Sequence, residues 1–423
     1  MRTLVAVMAL LILLVSCQTD RRARSVRDGV AAPPDTVAEA SLAPLDPEAA
    51  GEAIAAVLPF PTEVPTLRPA LEVQLDALLE AMTLRQRIGQ RFMTAFPGQR
   101  PGERVLKLVR EGQVGGLLVT RGNVQSREQI KALTAALQAA ARENLPAIGL
   151  FVAVDQEGGR VSRLELDNVT RFAAPHYWSE YRDPRYVESI AYIAGKEALA
   201  LGLNMNLAPV LDLYGLADNS VIGDRSMGPN PFVVAEQGVF YLHGARRAGI
   251  AAVVKHFPGH GTTAVDSHRE LPVVDADEEQ LWQRDLIPFQ LAIDHDVEAV
   301  MTAHLLLPKL DPEYPVTLSE VIIRGLLRER LGFKGLVITD DIDMGALRKN
   351  FTPRQILMYS IRAGVDLILC TGGLDALQLI GEVESLVEGG ALPEELIDEG
   401  VRRILRLKFK YGLLPAPPEE VQP

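Results

Sequence analysis

From Leu67 onward the chain alternates short apolar runs with amphipathic helical patterns. Eight runs stand out: Gln90–Ala95, Val114–Thr120, Ile148–Val154, Met205–Leu211, Ala251–Val254, Ala299–Ala303, Leu336–Thr339 and Leu367–Cys370. Each is too short for a core helix. Several are rich in β-branched residues and carry no polar alternation, the pattern of strands buried on both faces. Helix signals fall between them. Thr317 with Glu320 reads as a capping box before Val321–Arg330, with Gly332 past the end. Thr352 with Gln355 repeats the box, Pro353 takes the first helical position, and Gly364 ends that helix. Strand–helix alternation eight times over predicts an α/β fold, a parallel (β/α)8 TIM barrel forming a single catalytic domain over residues 66–423. A doubly wound open sheet is the alternative arrangement.

A barrel of this kind gathers functional side chains on one face, just after the strands. The polar positions follow that rule. The third run is followed by Asp155-Gln156-Glu157-Gly158-Gly159-Arg160, with Arg163 close behind. Asp212 follows the fourth, Lys255 and His256 the fifth, His304 the sixth, and Asp340-Asp341 the seventh. The positions just before the strands show no comparable crowding of charge. The densest stretch is Ala251–Pro272, where three of the chain's 7 histidines (His256, His260 and His268) accompany Asp266. Ionisable groups at the end of a buried strand are costly unless a polar pocket receives them. Blander readings apply elsewhere. Asp294-His295-Asp296 reads as a solvated turn at a helix end, and Cys370 as a buried inert thiol. Arg225 taken alone is a surface arginine, and His304 is either structural or catalytic.

The N-terminus has a different character. Leu4–Val15 is an apolar run too short for a bilayer core of about 30 Å. Leu14-Val15-Ser16-Cys17 then matches a bacterial lipoprotein cleavage box. The expectation is a signal peptide over 1–16, a lipidated Cys17, and an extended Ala/Pro-rich tether over 17–65. Membrane attachment at Cys17 follows. Gln18 after the cysteine resembles outer-membrane sorting in Gram-negative lipoproteins, which would leave the domain facing the periplasm. Cys370 is the only other cysteine, so acylation of Cys17 leaves no intramolecular disulfide and no thiol cluster for zinc.

The net charge of −12 argues against a nucleic-acid partner. No Gly-x-Ser-x-Gly elbow and no phosphate-cradling loop with a lysine is present, and no cofactor or metal is expected. What the site offers is carboxylates, imidazoles, lysine and arginine, a set that suits a polyhydroxylated substrate held by charge-assisted hydrogen bonds.

Lys255-His256-Phe257-Pro258-Gly259-His260-Gly261, followed by Asp266-Ser267-His268 and Leu271-Pro272, resembles the signature of glycoside hydrolase family 3 in its β-N-acetylglucosaminidase branch. The likeness runs from Met82-Thr83-Leu84 and Ile88-Gly89-Gln90 to Arg403-Ile404-Leu405, nearly all of Thr83–Leu414. Met227 stands where the family usually has phenylalanine after Arg-Ser. The resemblance implies Asp340 as nucleophile, with His268 as acid/base paired to Asp266. It implies Asp155, Arg163, Arg225, Lys255 and His256 as ligands of the non-reducing sugar. The implied activity is a retaining exo-β-N-acetylglucosaminidase acting on a carbohydrate substrate such as GlcNAc-containing peptidoglycan fragments. A β-glucosidase or a GlcNAc phosphorylase on the same scaffold, and a non-catalytic sugar-binding lipoprotein, are the alternatives. Oligomeric state is not legible.

Overall fold

The computed structural model describes residues 68–415 except 112, 181–182, 215–220, 262, 264 and 373. The expected signal peptide, the lipidation expected at Cys17 and the expected tether all fall outside the described residues.

All eight apolar runs form parallel strands: β1 Phe92–Ala95, β2 Gly116–Val119, β3 Phe151–Val154, β4 Met205–Asn206, β5 Ala251–Phe257, β6 Ala299–Thr302, β7 Leu336–Thr339 and β8 Ile368–Cys370. They pair in the order β7-β6-β5-β4-β3-β2-β1-β8. The Ile338–Leu367 bridge and the Thr339 N–H bond to Leu367 O (3.0 Å) join β7 to β8 and close the ring. This is the (β/α)8 barrel that the alternation predicts.

The pleat explains which side chains reach the lumen, because alternate residues face opposite sides of a strand. Phe151, Ala153, Ala251, Val253, Ala299, Met301, Leu336 and Ile338 fill the interior. Val152, Val154, Ala252, Val254, Val300 and Val337 belong to the larger core between strands and helices. The same parity carries Asp155, Lys255 and Asp340 to the inner side at the mouth. Strand β5 runs further than its apolar run. It takes in Lys255, His256 and Phe257, all buried. Its pairing with β6 shifts between Val254 and Phe257. Phe257 therefore joins the outer core, edge-on to Phe289, and the two polar residues before it are left to the mouth.

Helix ends mostly follow their sequence signals. Thr83 and Thr352 close capping boxes with Gln86 and Gln355, and Gly364 ends its helix in the left-handed region (φ 100°). The Thr317 box is a correction. Thr317 lies in the short 3-10 turn Val316–Leu318 and is fully buried. Ser319 supplies the oxygen that accepts the Ile322 N–H (3.2 Å), and the helix Val321–Arg330 starts after it. A buried hydroxyl satisfies whichever donors and acceptors surround it, and those around Thr317 belong to the barrel mouth.

The floor of the barrel corrects two more expectations. Charge does crowd before the strands there. Arg91 precedes β1, is 1% exposed, and donates to the carbonyls of Asp366 (3.1 Å), Leu396 (2.7 Å) and Val365. Burial pushes its pKa down to about 10. Asp366 accepts from Arg328 (2.7 Å), Arg403 (2.9 Å) and the Val337 N–H (2.8 Å). Lys408, on the helix Glu394–Lys410 that plugs the floor, is fully buried. It donates to Gln90 Oε1 (2.7 Å) and Gly149 O (2.6 Å), and burial lowers its pKa strongly. The second correction is His295, which is 5% exposed rather than solvated; its carbonyl accepts from Arg246 (3.1 Å).

Candidate active site

The sharp turn after β3 begins the site. Gly158 and Gly159 have φ of 101° and 53°, and a side chain on Gly158 would meet the Ala173 carbonyl at 2.5 Å, so only glycine permits this path. The turn buries Glu157, whose side chain is 1% exposed. Arg225 grips it with two bonds, Nε to Oε2 at 2.7 Å and Nη2 to Oε1 at 2.8 Å. Lys255 Nζ lies 2.6 Å from Glu157 Oε1 and 3.0 Å from Asp155 Oδ1. Burial by itself would raise the Glu157 pKa. The adjacent Arg225 and Lys255 charges outweigh it and hold the carboxyl well below the usual range. Burial opposes the charge on Lys255, and Asp155 and Glu157 more than restore it. The result is a fixed, ionised cluster that presents Asp155, about one-fifth exposed, as the carboxylate still open to a ligand.

His256 belongs to a second layer. Its Nδ1 donates to Asp212 Oδ2 at 2.6 Å, which leaves Nε2 toward the mouth, 3.5 Å from Arg225 Nη2. Asp212 is fully buried and also accepts the His260 N–H at 2.6 Å. Burial raises its pKa, but the His256 charge and hydrogen bond bring the net shift down.

Asp340 sits one residue past β7, half-buried. Its own carboxylate accepts the Asp341 N–H at 2.8 Å. Burial works to raise its pKa, and the His256, His304 and Lys255 charges together leave it lowered. Asp341 turns away to the end of β8, where it accepts from the Thr371 N–H (3.0 Å) and hydroxyl, and its pKa is raised by burial. His304 is fully buried. Its Nε2 lies 3.0 Å from the Asp341 carbonyl, which can only accept, so Nε2 carries a proton, and its Nδ1 lies 2.7 Å from Thr317 Oγ1, which donates its own proton to the Ala303 carbonyl (3.1 Å). His304 thus holds the peptide that follows Asp340.

Asp266 and His268 meet as expected for residues two apart. His268 Nδ1 is 2.8 Å and its N–H 3.0 Å from Asp266 Oδ1. The imidazole is exposed (66%) with Nε2 available. The Arg163 N–H donates to Gln156 Oε1 (2.9 Å), and its half-exposed side chain is not drawn into the Glu157 cluster.

The structure therefore gathers Asp155, Arg225, Lys255, His256 and Asp340 at one mouth and pairs Asp266 with His268. Glu157, Asp212, His260, Ser267 and Thr317 organise these groups and carry no sequence assignment as site residues. Their signal was partial at best: Glu157 and Asp212 stand after strands, but Arg225 and His256, the partners that give them meaning, lie 68 and 44 residues away. Among the described residues no group of His, Cys, Asp and Glu could hold a metal ion.

The fold and this mouth are those of a (β/α)8 barrel with its ionisable groups gathered at the C-terminal ends of the strands, and the chain belongs to glycosyl hydrolase family 3: the family's N terminal domain matches residues 83–407. Beta-hexosaminidase A of Pseudoalteromonas piscicida is 35% identical over 326 residues, 72% of this chain and 54% of that protein. This chain thus spans about half the length of that relative. Beta-hexosaminidase of Alkalilimnicola ehrlichii is 37% identical over 274 residues, 63% of this chain and 76% of the relative. Among solved structures, a glycoside hydrolase family 3 beta-N-acetylglucosaminidase from Paenibacillus sp. superposes with a TM-score of 0.75 at 40% identity, covering 79% of this chain and 63% of that one.

Proposed function

We propose that the chain is a retaining, exo-acting β-N-acetylglucosaminidase. The observation that carries this reading is the separation of roles: an ionised carboxylate, Asp340, at the end of β7, and an exposed imidazole, His268, whose Nδ1–H is held by Asp266. Retention requires a nucleophile and a distinct proton donor. Asp340 attacks the anomeric carbon while His268 Nε2 delivers a proton to the leaving oxygen. The glycosyl ester then yields to water, with His268 Nε2 taking the water's proton. Asp266 fixes the ring and its tautomer throughout. Asp155, Lys255, His256, Arg163 and Arg225 bind the hydroxyls of the terminal sugar. The names of the hexosaminidase relatives support N-acetylglucosamine as that sugar.

The natural substrate in this reading is a GlcNAc-bearing peptidoglycan fragment, met at a membrane to which lipidated Cys17 anchors the domain. The decisive assay is release of p-nitrophenol from the β-GlcNAc and β-glucose glycosides, each with and without phosphate, with the sugar product analysed. Free GlcNAc of β configuration at first formation, with no sugar phosphate, is the expected result. A sugar 1-phosphate or preference for glucose would replace this reading with one of its neighbours. Radiolabelled palmitate incorporation that survives Cys17→Ser would remove the anchor.

A further inference from the structure

The loop that carries Asp266 and His268 shows an inverted burial pattern. Asp266 and His268 are 35% and 66% exposed at their side chains, yet Ser267 between them is 2% exposed. Ser267 is pinned from two sides. Its Oγ hydrogen-bonds His260 Nε2 at 3.0 Å, and its carbonyl accepts the Ala346 N–H at 3.1 Å. The next carbonyl, of His268, accepts the Gly345 N–H at 3.1 Å. Both ends of this clasp are tied to catalytic parts. His260 hangs by its N–H from Asp212, the carboxylate that also holds His256. Gly345 and Ala346 follow Asp340 by only a few residues. Gly345 permits the approach because a side chain there would sit 2.6 Å from the Arg269 carbonyl and 2.7 Å from that of His268.

We propose that Ser267 is a positioning residue that, with His260 on one side and Gly345 on the other, docks the acid/base loop in register with the sugar site and the nucleophile. A free loop would have to order itself each time His268 gives or takes a proton. The clasp sets that order beforehand and links His268 to the same Asp212 that orients His256. This inference rests on the glycosidase reading above, since register matters only if His268 transfers a proton.

The test is a series of aryl β-GlcNAc glycosides whose phenols span a wide range of acidity. Ser267→Ala should leave kcat/KM on the best leaving group near wild type and lower it on the poorest by on the order of 10-fold, the scale of one lost hydrogen bond acting on a general acid. In a His268→Ala background the same substitution should cost nothing further, because it acts through His268. Gly345→Ala, which displaces the loop from the opposite side, should repeat the leaving-group signature. Trypsin cleavage after Arg269, 85% exposed, should accelerate about 5-fold in Ser267→Ala as the loop is freed. Equal losses on all leaving groups, or a further loss beyond His268→Ala, would overturn the proposal. Wild-type protein that cleaves no glycoside would defeat the enzymatic reading itself. The trypsin comparison is independent of turnover, and unchanged cleavage there would show that no clasp exists.

Discussion

The two ends of this barrel are both rich in charge, and they use it in opposite ways. At the floor, Arg91 spends its donors on three carbonyls, Arg328 and Arg403 share Asp366, and Lys408 is consumed by Gln90 and Gly149. Every partner there belongs to the protein. At the mouth the inner charges are paired just as tightly, Arg225 and Lys255 on Glu157, but other groups stand forward there on partners of their own: Asp155 on Lys255, His256 Nε2 behind Asp212, His268 Nε2 behind Asp266, and Asp340 just past β7. Crowded charge at strand ends is therefore no mark of a site. What separates the ends is whether the network stops at itself or orients groups toward an outside partner.

The sharpest way to break this comparison is to remove one forward group. Asp340→Asn should lower kcat on the order of 10⁴–10⁶-fold, as for other nucleophiles, with the melting temperature unchanged. Because the Asp340 pKa is lowered, the wild-type requirement for its anion is met at neutral pH. It fails only as pH falls through a value below the usual aspartate range, and the acid limb of kcat/KM measures it. His268→Ala should cost roughly 10²–10⁴-fold on sugar leaving groups and far less on an activated phenolate. A loss independent of the leaving group would make His268 a packing residue.

At the floor the expectation reverses. Asp366→Asn removes the buried carboxylate shared by Arg328 and Arg403, leaving Arg328 on the Gly335 and Gly364 carbonyls and Arg403 on Glu399, and should destabilise the fold by about 3 kcal/mol in denaturant titration. The folded fraction should keep kcat within about 2-fold, the site being distant.

The smallest effect tests a carboxyl that belongs to neither network. Asp285 is 5% exposed, its Oδ1 has no hydrogen-bond partner among the described residues, and burial lifts its pKa from 3.8 to about 6. A raised pKa means the folded state binds the proton more tightly. Wild-type stability from this group is present in full below about pH 4 and lost as pH rises through 6. Asp285→Asn should therefore stabilise the protein by about 1–3 kcal/mol at pH 7.5 and by nothing near pH 3.5, read from melting curves at the two pH values.

Much of this was legible in the sequence, for definite reasons. The strands were, because a parallel barrel buries both faces of each and so writes unbroken apolar runs. The pairing of Asp266 with His268 was, because the resemblance implied it and the two residues stand only two apart. Strand parity placed Asp340 inward and Asp341 away. The misses share one cause. Thr317 looks like a helix cap until Thr302, His304 and the Ala303 carbonyl surround its hydroxyl. Arg91 looks like an ordinary charge before a strand until Asp366, 275 residues on, closes over it. His295 looks solvated until Arg246 takes its carbonyl. Pattern reports which face of an element is buried; it does not report what a distant segment brings to that face.

Lys408 makes the floor a clock. Burial lowers the pKa of this amine and so favours its nucleophilic form, and the seating of the final helix keeps it against Gln90 and Gly149, away from solvent. In the closed protein it should be silent toward an acylating reagent, while exposed lysines such as Lys107 should react first. Each excursion of that helix would expose the amine, and a trapped acyl group would bar its return. Labelling of Lys408 should therefore be slow, and its rate should follow the opening of the floor of the barrel.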